Sequence, residues 1–361
     1  MEQVILIKSR GTDWNYFWKK KMIISFILSV FVVLIHSSSF SSYFQGSPES
    51  VPGAISFINY FIRGSLSLVA VPLFFILSGF VMFRNFSKTN ALDKIKKKLL
   101  YLIIPYLVWN ILSMLFYIIT SYSFISNYFV GRQKFVFSLS NVLLSVFKHQ
   151  CNGPFWYIFA LMLYTALSPV IAQIIRNKYI GLIFIVCLIL VLICGIQMPS
   201  WLILESNSIV FYVLGCWLGT HKSNLFIKKA YSRTSLLALL CLLLTLIYFI
   251  AEKYNIIPSI YGLKTIFLLF AALSFWFASD LFIDYIKPKK FHQYSFLIYA
   301  MHVNVQAIYV KIIYLVFPKS AVFSIFNFVV STVLTILTII IFGQVCRRIS
   351  PKLYALLTGD R

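Results

Sequence analysis

Ten long apolar runs, each set off from the next by a polar stretch, leave this chain few ways to fold. They lie at 22–44, 66–83, 99–120, 154–175, 179–196, 207–220, 235–251, 262–279, 293–317 and 321–343. A bilayer's hydrocarbon core is about 30 Å thick and a helix rises about 1.5 Å per residue, so about 20 apolar residues cross it. Strands of a transmembrane barrel would instead alternate over about ten residues. Most runs here are continuously apolar for about twice that length, and an isolated segment in lipid satisfies its own backbone only as a helix. The expected fold is all-α: a polytopic integral membrane protein of about ten transmembrane helices, with 1–361 forming one transmembrane domain. The sixth run is the shortest and fits a span least well.

Charge placement gives a direction to these runs. The formal net charge of +23 would suggest nucleic acid in a soluble chain, but 60% of the residues are hydrophobic and the mean hydropathy is +0.88. The cations sit between the runs, so they read as topology and no nucleic-acid partner is expected. If both termini are cytoplasmic, as an even count of spans allows, the inner segments hold 24 of the 32 Lys and Arg and eight lie elsewhere. That excess is the positive-inside pattern. The first run is too long for the apolar region of a cleavable signal and is expected to remain as an anchor.

Two outer segments are long enough to carry structure. In 45–65 a short apolar piece, Ile55 to Ile62, could lie flat on the membrane surface. In 121–153 the aromatics, Arg132 and His149 could form the mouth of a pocket or an interfacial belt. The six cysteines show neither metal-ligand spacing nor a disulfide framework, so no metal site is expected.

Only two of five histidines fall inside runs, His36 and His302. From run starts at Met22 and Tyr294, they lie about 21 Å and about 12 Å along their helices, in the middle of the membrane. An intramembrane ionisable group is costly and marks function by default, while a polar side chain also serves as glue between helices. A neutral imidazole is a good general base near pH 7. His149, His221 and His292 fall in loops and are expected to be solvated. Val71-Pro-Leu-Phe-Phe-Ile-Leu-Ser-Gly-Phe80 reads as a packing motif, with a kink at Pro72 and close helix approach at Gly79. The cluster Lys94, Lys96, Lys97, Lys98 is a membrane anchor or a contact for a phosphorylated ligand. Carboxylates inside the runs are nearly absent, which argues against a carboxylate proton relay.

Five motifs in this order, Val33-Leu-Ile-His36, Val71 to Phe80, Lys97 to Asn110, Gly153-Pro-Phe-Trp-Tyr-Ile158 and Ser295-Phe-Leu-Ile-Tyr-Ala-Met-His302, resemble the membrane acyltransferase family 3. The resemblance covers nearly the whole chain and implies a single transmembrane acyltransferase-type domain. Members O-acylate, usually O-acetylate, envelope glycans from a multi-pass position in the bacterial cytoplasmic (inner) membrane. What it implies here is an enzyme with no bound cofactor, taking acyl-CoA, in the first place acetyl-CoA, as co-substrate. The acceptor is a hydroxyl of a cell-surface polysaccharide or lipid-linked glycan precursor, and other glycan-assembly proteins are candidate partners besides the lipid bilayer.

The same resemblance assigns roles. His36 and His302 become the candidate catalytic residues, Lys21, Lys97 and Lys98 the candidate contacts for acyl-CoA, and Arg63, Trp156 and Tyr157 the candidate substrate contacts. About eleven residues before the histidine, where the family carries an arginine, this chain has Ser25, and Lys21 is the nearest upstream cation. The other class of function open to the sequence is a non-catalytic glycan exporter or small-molecule transporter.

Overall fold

The computed structural model describes residues 12–37, 51–87, 89–122, 133–194, 196, 208–258, 260–317 and 321–359, and every regular element among them is helical. The N-terminal half contains α1 (Thr12–His36), α2 (Val51–Tyr60), α3 (Ala70–Phe83), α4 (Ala91–Tyr122) and α5 (Leu139–Phe147). A π-turn (Phe61–Ser65) and a 3₁₀ turn (Leu66–Val69) join α2 to α3. The middle holds α6 (Trp156–Ala166), α7 (Ser168–Ile175), α8 (Lys178–Ile193), α9 (Ser208–His221) and α10 (Ser223–Ile227). The C-terminal part holds α11 (Ser232–Lys253), α12 (Tyr261–Ala278), α13 (Ser295–Val316), α14 (Ala321–Ile349) and α15 (Pro351–Thr358).

Among the described residues, six helical stretches are long and apolar enough to cross a membrane: 55–83, 91–122, 232–253, 262–281, 290–316 and 323–349. A seventh is the bent pair 153–166 and 168–175, while α8 and α9 are shorter apolar helices. These account for nine of the ten expected runs. In the first, α1 begins ten residues before Met22 and closes at His36, and its three lysines keep it from the same standard. Residues 38–44 of that run lie outside the described residues. The expected span 154–175 is bent by 61°, because Pro169 has no N–H to donate to the Thr165 carbonyl one turn back. Ile55 to Ile62, expected on the surface, instead continues through the π-turn into the span 55–83. Pro72 accordingly sits in the first turn of α3, where no helical N–H is lost, rather than at a mid-span kink.

The chain divides into two compact units. The first comprises Met1–Phe31, Gly64–Ile95 and Tyr164–Gln293, and its centre is the pair α3 and α9, which meet backbone to backbone. A Cβ on Gly215 would stand 2.1 Å from the Ile76 carbonyl oxygen, and one on Gly79 2.3 Å from that of Tyr212. Small residues are what permit this approach, as expected for Gly79. Around it Phe17, Phe80, Phe226 and Trp276 form an aromatic core, with Phe226 and Trp276 stacked 5.0 Å apart. Lys20, the middle of the lysine triplet, is buried here in an ion pair with Asp280. Asp280 also accepts from the Tyr16 hydroxyl and the Ala230 N–H, and the Lys20 ammonium lies 4.2 Å over the Trp276 ring.

The second unit comprises Val32–Arg63, Lys96–Leu163 and Tyr294–Arg361. Its α13 and α14 form an antiparallel hairpin, and Ile55 of α2 packs on Phe328 of α14. At the end of α14, Ser350 caps α15 by accepting from the Leu353 N–H, Pro351 opens the helix and Gly359, at φ 67°, closes it. The Trp109 indole of α4 donates to the Leu357 carbonyl at 2.8 Å. Pro105 has no N–H to donate to the Tyr101 carbonyl inside α4, and Gly359 fits against that oxygen, where a Cβ would approach to 2.3 Å.

Two helices of this unit are amphipathic in reverse. Leu100, Ile104, Ile111 and Leu115 of α4 are exposed, while Asn110 and Ser113 are buried. Along α14, Phe326, Val329, Val333, Leu337 and Ile341 face outward, and Ser324, Asn327, Ser331 and Thr335 face inward. Apolar stripes outside and polar ones inside suit lipid as the solvent. The molecule is a multi-pass membrane protein.

Candidate active site

The two histidines singled out by depth come together within the second unit. His36 is the last residue of α1 and His302 lies in the third turn of α13, and their ring centroids are 5.1 Å apart. Three anchors hold this arrangement. The Arg63 guanidinium, carried on the π-turn, donates through Nε (3.1 Å) and Nη2 (2.9 Å) to the Ile35 carbonyl, one residue before His36. A helix end leaves such carbonyls without partners, and a cation is the natural group to satisfy them. His302 Nδ1 lies 2.7 Å from the Tyr299 carbonyl. A carbonyl only accepts, so the ring proton sits on Nδ1 and Nε2 keeps its lone pair. That Nε2 is fully buried with no hydrogen-bond partner among the described residues, whereas His36 is exposed.

Tyr299 is the third anchor, and it ties in the Gly153-Pro-Phe-Trp-Tyr motif. Its hydroxyl donates to the Pro154 carbonyl, its ring stacks on Phe155 at 5.6 Å, and Tyr157 meets it edge-on at 5.7 Å. Trp156 begins α6 beside Tyr157, and both are half-buried. Two residues past His302, Asn304 donates to Ser113 Oγ at 3.0 Å, which brings α4 to the level of the histidines.

Lys97 and Lys98 are about 24 Å from that level, measured along α4 from Lys97 to Ser113. Lys97 is exposed, its ammonium 5.9 Å over the Tyr101 ring, and Lys98 is half-buried. Lys21 belongs to the first unit, its ammonium 5.5 Å over the Trp18 ring. The structure thus links His36 to His302, His302 to Tyr299 and Tyr299 to Tyr157, with Arg63 bonded one residue before His36, while Lys97 and Lys98 lie far along α4.

The remaining histidines are not solvated loop residues as expected. His292 is 6% exposed and its Nδ1 accepts from the Lys289 N–H. His221 ends α9 with Nε2 2.7 Å from the Ile175 carbonyl. His149 is half-buried with Nδ1 3.1 Å from the Tyr106 hydroxyl, and burial holds its pKa below the ordinary histidine value. Sequence reasoning also missed Tyr299 and the Lys20–Asp280 pair. The helical spacing of Phe17, Lys20 and Ile24 on one face was the available signal for the latter.

A family model described as an acyltransferase domain matches residues 25–344, almost the whole chain. The chain belongs to acyltransferase family 3. In this acyltransferase the matched segment contains His36, Arg63, Lys97, Lys98, Trp156, Tyr157 and His302, and it begins after Lys21. No curated protein and no solved structure matches the chain significantly.

Proposed function

We propose that this acyltransferase moves an acyl group, acetyl in the first place, from acyl-CoA supplied at the cytoplasmic face to a hydroxyl of a cell-surface polysaccharide or lipid-linked glycan precursor. It does so as a ten-span protein of the bacterial cytoplasmic (inner) membrane with both termini inside. The observation that carries this reading is the pairing of His36 with His302, two imidazoles 5.1 Å apart with one ring nitrogen uncommitted. A structural histidine satisfies both of its nitrogens, and this one does not.

His36 takes the proton from the acceptor hydroxyl as its oxygen attacks the thioester carbonyl. The C–O bond forms, the tetrahedral adduct collapses with cleavage of the C–S bond, and the departing thiolate takes the proton from the imidazolium. His302 orients and supports the charged ring through Nε2. Lys97 and Lys98 draw the phosphates of CoA to the inner end of α4, and the pantetheine arm extends from there towards the histidines. Arg63, Trp156 and Tyr157 shape the acceptor side.

The test is transfer from labelled acetyl-CoA in membranes carrying wild type or His36→Ala at equal amounts, with mass spectrometry of the envelope glycan. His36→Ala should lower transfer by at least a hundredfold and remove the acyl mass, in the range expected for losing a general base. An unchanged acyl content in the variant sinks the assignment.

A further inference from the structure

From His302 onward the α13–α14 hairpin carries a row of polar atoms, of which those on Gln306, Asn327 and Thr335 take no part in the transfer step. Gln306 donates through Nε2 to Thr332 Oγ1 at 3.4 Å, and Asn327 donates through Nδ2 to the Val310 carbonyl at 3.2 Å. These two bonds fix the register of the hairpin, with 306 opposite 332 and 310 opposite 327. One turn back from Gln306 is His302; one turn on from Thr332 is Thr335. The two therefore share a level, and the row from His302 to the level of Asn327 is about 12 Å long.

Four atoms on this row are buried and have no hydrogen-bond partner among the described residues: His302 Nε2, Gln306 Oε1, Asn327 Oδ1 and Thr335 Oγ1. The residues bearing them are at most 3% exposed. If the seam were only glue between helices, the amides would spend their acceptors as well as their donors. Instead each amide uses its NH₂ group on the neighbouring helix and leaves its carbonyl oxygen idle. The first three atoms can only accept, and the fourth can do either. Whatever fills the row must bring several hydrogen-bond donors spaced along it. An acyl chain has none, the phosphates of CoA are acceptors themselves, and the pantetheine arm, with two amide N–H groups and one hydroxyl, is placed along α4. A saccharide has a hydroxyl on nearly every carbon.

We infer that this hairpin is the acceptor subsite, in which Gln306, Asn327 and Thr335 accept hydrogen bonds from the hydroxyls of a saccharide whose reacting hydroxyl lies at the His36–His302 pair. The inference rests on the acyl-transfer reading for the order of events but not for the binding itself. Saccharide binding is therefore measured directly, with full-length protein in lipid nanodiscs and tritiated methyl glucoside, methyl rhamnoside and N-acetylglucosamine as probes. Wild type and His36→Ala are expected to bind at least one probe saturably. Asn327→Leu and Gln306→Met are expected to weaken it at least tenfold and, because each also removes a hairpin bond, to unfold at a somewhat lower temperature, while their binding of labelled acetyl-CoA stays as in wild type. Thr335→Val, which keeps side-chain volume, should weaken it several-fold and serves if either larger change impairs folding. Saccharide affinity unaltered by these substitutions, or no saturable binding of any probe to wild type, overturns the subsite. A wild type that binds a saccharide but never acylates it would leave the subsite standing and remove the transfer reading.

Discussion

Arg63 has a backbone task that its sequence position does not suggest. Read along the chain it is an arginine near an outer segment, and a substrate contact was the natural expectation. In the structure both of its bonds go to the Ile35 carbonyl, so it fixes the backbone that aims His36. Nothing in a single sequence reveals that a five-residue π-turn will bring residue 63 beside residue 35. Hydrogen bonds to a charged group contribute about 1.5–3 kcal/mol. Arg63→Ala is therefore expected to lower acyl transfer by roughly ten- to a hundredfold, with Arg63→Lys recovering part of the loss through a single bond. Labelled acetyl-CoA assays at matched protein levels measure this, and full activity in Arg63→Ala would refute the aiming role. The histidines themselves were legible, because a titratable ring in an apolar run stands out. Tyr299 was not, because a tyrosine in such a run is ordinary until its partners are known.

At the level of helices, the glycines and the buried ion pair make separable claims. Gly215→Ala puts a methyl group 2.1 Å from a main-chain oxygen that has no freedom to retreat. Overpacking of this kind costs about 1–3 kcal/mol, so the variant should unfold at a lower temperature in detergent than wild type. Gly153→Ala, which meets nothing within 4 Å, should not. Removing one member of a buried pair is dearer: Lys20→Met or Asp280→Asn should each destabilise by about 3–5 kcal/mol, and the double variant by less than the two together. Thermal unfolding of the purified variants decides both. Most apolar runs could be located from sequence because hydropathy is a property of the segment alone. Their breaks depended on local backbone chemistry, as at Pro169, and their ends on neighbours. Lys20 is the clearest instance: as one of three lysines it looked like an anchor, and only Asp280, 260 residues away, makes it part of an interior.

For the whole chain, the open quantity is how often it crosses the bilayer. Six stretches qualify by length and composition, a seventh if the bent pair is one span, and α1, α8 and α9 stand just outside. In the proposed ten-span arrangement the basic clusters of Lys and Arg fall on one side, which an odd count would not allow. Alkaline phosphatase fused at either terminus is thus expected to be inactive and green fluorescent protein at the same points to fluoresce; active phosphatase at one end would overturn the ten-span arrangement. The contact between α3 and α9 also limits the routes that remain. Where two rods touch through bare main chain, there is no clearance for so much as a methylene, and no thermal breathing of side chains can open one. A thioester or a lipid tail entering the first unit must travel by some other crevice, which exempts that seam from any search by cross-linking.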